Sequence, residues 1–401
     1  MKNVINMKPN GVPIKVWLDN IDDNTWEQVE NLSRLPFVHH HIALMPDAHM
    51  GYGMCIGGVM ATEDVIIPHA VGSDIACGVL AARLPFKEIR KDQLQNIKAL
   101  IKKAIPMGVG KAHEKAHLMP EINSIINGLC LEDDPTSVLF KHYGLAASQI
   151  GTLGAGNHFI EFQKGSDGFI WIMIHSGSRG LGYKVADHYN KVAIELNKKW
   201  FSSVNPKHQL AFLPMNTDEG QKYFREMTYC VEYAKQNRLK MFCSIVLACE
   251  TILPQYHGSK IFIDQIYDVA HNYATLERHF GKNVWVHRKG ATKAMKGEIG
   301  LIPGSQGSKS YVVHGLGNPD SFYSCSHGAG RLMSRSKAKK ELDLATESKK
   351  LDKLGVIHGM TDIKNLDEAP GAYKDIEMVM NNQKDLVTVE VELTPIMVLK
   401  G

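Results

Sequence analysis

The chain has 401 residues, more than twice the roughly 150 residues of an ordinary domain, so it can bury a large core without disulfide staples. Hydrophobic residues at 44% and charged residues at 22% exclude a disordered, collagenous or fibrous chain. Lys plus Arg numbers 46 and Asp plus Glu 42, a net charge of +4 that excludes a polybasic tail and leaves any nucleic-acid contact to a local patch. The 19 histidines outnumber the 13 Tyr and the 13 Phe, which points to metal binding or imidazole chemistry. Seven scattered cysteines without a CxxC pair fit neither a disulfide framework nor a zinc ribbon. Residues 1–6 lack a signal-peptide stretch, and no apolar run reaches about 18 residues. The expected location is therefore the cytoplasm, with no membrane association.

In chain order, residues 87–105 read as a mostly solvated helix that stops at Pro106. The stretch 88–143 is the poorest in motifs and is expected to be a helical insertion. The apolar run Phe169, Ile170, Trp171, Ile172, Met173, Ile174 reads as a buried strand ending at His175. Helical spacing follows at Val185, Tyr189, Val192, Leu196 and Trp200, then at Phe224, Met227, Val231 and Ala234. Residues 261–263 and 284–287 read as short strands, with a helical turn expected before His271. A Lys/Arg-rich helix is expected to begin at Arg331. Residues 386–393 alternate, with Val387, Val389, Val391 and Leu393 on the buried face of a strand. Interleaved strands and helices predict an α+β (mixed α/β) protein. With no repeat or linker, one domain over residues 1–401 is expected.

Glycines and histidines fall together in short clusters, the pattern of a site built on loops at strand ends. Asp74 and Cys77 lie on one Gly-flanked turn; alone they read as a capping carboxylate and a small buried thiol. With His158, His175 and His271 they make up the mixed N, O and S donor set of a transition-metal site, open to a binuclear arrangement and to Zn2+, Mn2+ or Fe2+. Ser176–Arg179, His287–Thr292 and Pro303–Ser310 are hydroxyl- or cation-bearing turns suited to phosphate, though each alone reads as a solvated loop. Neither Gly108–Ala112 nor the glycines from Gly51 to Gly57 has the spacing of a common nucleotide loop. His327, in Ser-His-Gly-Ala-Gly-Arg, could attack a phosphoryl group, with the following helix N-terminus and Arg331 stabilising the developing charge. The blander reading is a capping histidine.

Taken in order, these clusters resemble the RtcB family of RNA ligases. The matching stretches begin at Met45-Pro46-Asp47-Ala48-His49-Met50-Gly51 and Gly72-Ser73-Asp74-Ile75-Ala76-Cys77-Gly78. They continue through Gly154 to Glu161, His175 to Gly180, His271 to Tyr273, His287 to Thr292, Pro303 to Ser305 and Ser326 to Arg331, and end at Leu399-Lys400-Gly401. The resemblance implies a single domain whose mixed sheets surround a central metal and nucleotide cleft. It implies an enzyme using Mn2+ and GTP to join an RNA 3′-phosphate or 2′,3′-cyclic phosphate to a 5′-hydroxyl, in RNA repair or tRNA splicing. An activating protein partner belongs to the same expectation. Carried over by position, His327 becomes the nucleophile that takes GMP. Cys77 bridges two Mn2+, with Asp74 and His158 on one and His175 and His271 on the other. The guanylate falls to Asn157, His158, Phe159, Ile160, Glu161, His271, Asn272, Pro303, Gly304, Ser305, Gln306, Ser310, Gly328, Ala329, Gly330 and Lys400, together with His327 itself. Arg179, Arg288 and Lys289 become the candidates for RNA phosphates.

Gln306 departs from the Met that many members carry, and His39, His40 and His41 read as a peripheral loop outside the catalytic set. Two other functions share the same residues: a metal-dependent phosphoesterase acting on RNA ends, and an RNA-binding protein with an inactive site. A covalent nucleotide on His327 and a clamp at Lys400 distinguish the ligase from both.

Overall fold

The computed structural model describes residues 1–7, 11–114, 135–256 and 259–401. A seven-stranded sheet runs Gln265–Ala270, Gly78–Arg83, Ile170–Ser176, Phe159–Gly165, Val387–Lys400, Ser310–Gly315 and Ile299–Ile302. Every pairing in it is antiparallel. An interior strand, Ile170–Ser176, is buried along its whole length because both faces are covered. Ile170, Ile172 and Ile174 meet Met241, Phe242 and Ile245 of helix Asp218–Ile252, while Trp171 and Met173 pack on Val312, Val391 and Leu393. A continuous apolar run is the sequence such a strand requires.

A second sheet of six strands runs Asn3–Ile5, Ile14–Val16, Val38–His49, Ile56–Thr62, Lys282–Lys289 and Asn272–His279. One of its cores joins the two sheets: Met45, Val59, Val284 and Val286 pack with Ile302, Val313 and Val387. The other face buries Val29 and Leu32 of helix Asp23–Ser33 against Ile42, Leu44 and Met60. Helix Asp218–Ile252 starts where Thr217 accepts from the Gly220 N–H and Asp218 and Glu219 occupy the positive first turn. No helix among the described residues is long and apolar enough to cross a membrane.

The expected mixture of helices and sheets is present, and several local readings are corrected. Residues 261–263 form no strand; Phe262 is exposed and the strand begins at Gln265. His271 follows that strand, not a helical turn. Val389 is exposed, because the pairing of Ser310–Gly315 with Val387–Lys400 shifts at a bulge that takes Val389 out of the alternation. His39, His40 and His41 lie within strand Val38–His49, where His41 stacks on Phe322 and is buried. Helix Lys91–Ala104 ends before Pro106 as expected, and its Leu94, Ile97 and Ile101 belong to the main core. It is thus part of the domain, whereas residues 115–134 of the expected insertion lie outside the described residues.

Candidate active site

Strand register assembles the donors. Gln265–Ala270, Gly78–Arg83, Ile170–Ser176 and Phe159–Gly165 are neighbours in the sheet, with Gly78 opposite Ala270 and Ser176, and Phe159 opposite His175. His271, Cys77, His175 and His158 therefore meet at one end of four adjacent strands. Cys77 Sγ is 3.4 Å from His158 Nε2 and 3.2 Å from His175 Nε2. His175 Nε2 is 3.3 Å from His271 Nε2, and His158 Nε2 is 3.0 Å from Asp74 Oδ2. Two groups result, Asp74–Cys77–His158 and Cys77–His175–His271, each with its donor atoms within 4.8 Å of one another and with Cys77 common to both.

The donor set fits metal. An ion with tetrahedral ligands at about 2.0–2.3 Å holds neighbouring donors roughly 3.3–3.8 Å apart, and a six-coordinate ion holds them closer. The observed separations of 3.0–3.4 Å are of that size. His158 Nδ1 faces the Leu153 carbonyl at 2.9 Å, which makes Nδ1 a donor and turns Nε2 toward Asp74 and Cys77, the position from which it would ligate once its proton is displaced. Burial drives the His175 and His271 imidazoles well below their usual range, so both are neutral, the ligating form. Burial and the adjacent Asp74 push the Cys77 thiol well up. Burial also works against an ionised Asp74, but its hydrogen bond to His158 and nearby Arg179 outweigh that and hold it low.

The turns that bear these donors are braced from behind by residues whose pattern carried no functional signal. Arg238, 1% exposed on the long helix, pairs with Asp268 and donates to the carbonyls of Ala76 (3.2 Å) and Ser176 (2.8 Å). Asn237 accepts from the Gly151 and Thr152 N–H groups and donates to Ser176 Oγ. Gly177 is required by close approach: a Cβ there would stand 2.3 Å from Asp74 Oδ1.

His327 follows strand Ser324–Ser326, with its ring centroid 4.7 Å from that of His271. Its Nδ1 is 2.7 Å from Oδ2 of the fully buried Asp47, which also accepts the His327 backbone N–H at 3.0 Å. A carboxylate there selects the tautomer protonated on Nδ1 and leaves the Nε2 lone pair free. The helix expected to begin at Arg331 starts instead at Arg335, capped by Ser334, and its first residues line the same cavity as His327. Asp47 is the functional candidate that residue-type reasoning passed over. Its only signal was its place in Met-Pro-Asp-Ala-His, since a carboxylate 280 residues from its histidine has no local pattern.

A cavity of about 680 Å3 opens over His327 and His175. Asn157, Phe159, Glu161, Pro303, Gly304, Ser305, Gln306, Gly328, Ala329, Gly330 and Lys400 line it. Ile160 does not: strand alternation turns its side chain into the apolar core between Phe159 and Glu161. Ser310 is buried behind the 303–308 turn, accepting from Gly304 N–H and Gln163 Nε2. Asn272 bridges two turns, donating to the Asp74 carbonyl and accepting from Gly290 N–H. Gln306 braces its loop by donating to the Glu368 carbonyl at 2.7 Å. Glu368 is a further residue with no local signature: its carboxylate receives Lys400 Nζ at 3.0 Å, Arg331 and Arg335 at 3.2 Å, and the Tyr373 hydroxyl. Burial opposes its ionisation, but Lys400, Tyr373 and the two arginines bring it down to about 2.

The cations named for RNA are placed differently. Arg288 is fully buried, its guanidinium spanning both oxygens of Glu277 at 2.6 and 3.0 Å, so a phosphate could reach it only by opening that pair. This corrects the expectation for Arg288. Lys289 donates to the Tyr52 and His69 carbonyls. Arg179 lies 3.2 Å from His158 Nδ1, beside the donors. Arg331, Arg335 and Lys337 line the cavity itself.

Burial raises Glu161 to about 8. The folded protein then keeps a proton that the unfolded chain gives up in the ordinary glutamate range, so stability should fall as pH rises from about 4.5 to about 8. Glu161→Gln is expected to flatten that part of the curve of Tm against pH for the ligand-free protein. A variant curve parallel to wild type would mean that Glu161 is ionised in place.

Comparison with known proteins agrees with this geometry. The family model described as tRNA-splicing ligase RtcB matches residues 28–401. The chain is 36% identical to the RNA-splicing ligase RtcB of Escherichia coli (strain K12), over 97% of both chains. It is 34% identical to the tRNA-splicing ligase RtcB of Methanococcus maripaludis and 32% identical to that of Thermococcus kodakarensis, in each case over 97% of this chain and 95% of the relative. A match of this extent, on a fold that brings Asp74, Cys77, His158, His175, His271 and His327 to one cleft, means that the chain belongs to the RtcB family.

Proposed function

We propose that the protein is a GTP-dependent RNA ligase that joins an RNA 3′-phosphate or 2′,3′-cyclic phosphate to a 5′-hydroxyl, in RNA repair or tRNA splicing. The observation that carries the reading is His327: Nδ1 held by Asp47 at 2.7 Å, its ring beside His271 of the Cys77–His175–His271 group, at a cavity of nucleotide size. His327 Nε2 attacks the α-phosphorus of GTP, forming an N–P bond while pyrophosphate leaves. The Nδ1 proton stays on the Asp47 hydrogen bond, which offsets the positive charge developing on the ring. An oxygen of the RNA 3′-phosphate then takes the guanylyl group and His327 leaves as a neutral imidazole. The 5′-hydroxyl attacks the activated 3′-phosphorus, with GMP as leaving group. A cyclic end is first opened by water.

Two Mn2+ would sit on Asp74, Cys77 and His158 and on Cys77, His175 and His271, neutralising phosphate charge and acidifying a bound hydroxyl or water. Lys400 and the Asn157–Glu161 wall hold the guanylate, with Glu368 keeping Lys400 aimed inward. Arg179, Arg331 and Arg335 are offered for the RNA phosphates.

The test is incubation with GTP and Mn2+ followed by intact-mass measurement. Addition of one GMP is expected, and no adduct with metals bound would overturn the ligase. Asp47→Asn keeps the shape but loses the charge on Nδ1, and should slow adduct formation by about a hundredfold or more at saturating GTP. A rate within threefold of wild type would remove Asp47 from the mechanism.

A further inference from the structure

We propose that Tyr52 is a stacking platform for an unpaired nucleobase of the RNA end presented to His327. The inference rests on the ligase reading and extends it to a subsite in the same cleft, built on the six-stranded sheet.

Residues 50–55 connect strand Val38–His49 to strand Ile56–Thr62, and their backbone is held on every side. Gln28 donates to the Gly51 carbonyl and accepts the Gly51 N–H at 3.0 Å. The buried Lys289 ammonium donates to the Tyr52 carbonyl and, at 2.9 Å, to that of His69. Gly53 sits at φ +67°, where a Cβ would stand 2.7 Å from the Gln209 carbonyl oxygen. Met54 and Cys55 are fully buried. A turn fixed this firmly nevertheless presents Met50 and Tyr52 outward, and Tyr52 is 75% exposed.

Both side chains line the same cavity as His327 and His175. They come from the six-stranded sheet, whereas Phe159, Glu161 and Lys400 come from the seven-stranded one. Arg331, Arg335 and Lys337 line this cavity too, and the last two are about half exposed. An aromatic ring and cations lining one phosphate-handling cleft is an arrangement that binds single-stranded nucleic acid: the cations take the backbone and the ring takes a base face. The pinned backbone lowers the ordering cost, since a tyrosine brings only two side-chain torsions. It also gives Lys289 a part in RNA binding, through the Tyr52 turn and not through a phosphate.

The experiment compares wild type, Tyr52→Phe and Tyr52→Ala. Binding of a fluorescent single-stranded RNA with a 3′-phosphate is measured with Mn2+ and without GTP, and KM is measured for GTP in adduct formation and for RNA in ligation. Tyr52→Ala is expected to weaken RNA binding and raise the RNA KM about tenfold or more, a larger change than in the GTP KM, and Tyr52→Phe should retain wild-type values. Abasic residues placed near the RNA ends should cost wild type a similar factor at one position and the Tyr52→Ala variant almost nothing there. RNA affinity within twofold of wild type in Tyr52→Ala, or a GTP KM that rises as much as the RNA KM, would overturn the platform. Failure of the ligase reading shows separately, as absence of the GMP adduct in wild type, while the binding arm still decides Tyr52.

Discussion

His327→Ala is expected to form no GMP adduct, yet still to seal RNA that already carries a guanylylated 3′ end. The substitution removes the nucleophile, so the loss should reach the detection limit of intact-mass or label-transfer assays. The His327 ring is partly exposed at a cavity wall and fills no core cluster, but its loss leaves the fully buried Asp47 carboxylate without its imidazole partner, so Tm is expected to fall and is measured alongside. Sealing of the preactivated RNA separates two roles. The 5′-hydroxyl attack needs the metal donors and the cations of the cleft, but no imidazole nucleophile. If the variant fails on preactivated RNA while folded and retaining wild-type metal content, His327 also acts in the sealing step. If the variant still becomes labelled with GMP, another residue is the nucleophile and the ligase scheme must be redrawn around it.

Cys77→Ala should have the largest effect on metal. Cys77 is the one residue common to both donor groups, so its loss leaves two donors in each. Two neutral imidazoles, or one imidazole and one carboxylate, form a weak site for a divalent ion. The thiol is also the only donor there that could place negative charge between two dications. Elemental analysis after desalting is expected to fall from two ions per chain to well under one, with adduct formation and ligation both lost. His271→Ala, which touches only one group, should spare the Asp74–Cys77–His158 ion. Two ions per chain retained in Cys77→Ala would refute the shared ligand. Equal loss in both variants would mean that the two ions bind as one unit.

The chemistry was largely legible in the sequence because it depends on residue types that have little other reason to cluster. Asp74 and Cys77 on one glycine turn, histidines at strand ends, and a histidine in Ser-His-Gly-Ala-Gly-Arg each read blandly alone and became a candidate site only when taken together. Their order along the chain carried the family. The apolar run at 169–174 and the helical spacing at 185–200 and 224–234 were legible from period alone, since a fully buried strand must be continuously apolar and an amphipathic helix must repeat every 3.6 residues. Apart from a residue at an end, they fall within strand Ile170–Ser176 and helices Arg179–Lys199 and Asp218–Ile252. Periodicity failed where tertiary context overrides it: the apolar triplet at 261–263 forms no strand, and Val389 lies beside a bulge at Glu390 in its own strand.

What the sequence determined by itself is the inventory: which side chains can ligate, attack or carry charge, and which segments are strand or helix. Only the tertiary structure decided which of them act together. Sheet register, not proximity in the chain, brings His271 beside Cys77 and His158 beside His175. Asp47 reaches His327 across 280 residues, and Glu368 collects Lys400, Arg331 and Arg335. Burial likewise separated cations of equal promise. Arg288 pairs with Glu277 inside the protein and Lys289 holds the turn that displays Tyr52, while Arg331 and Arg335, though paired with Glu368, line the cleft. The physical reason is common to all of these. A side chain's chemistry is local, but its partners and its exposure to solvent are set by contacts between segments far apart in the chain.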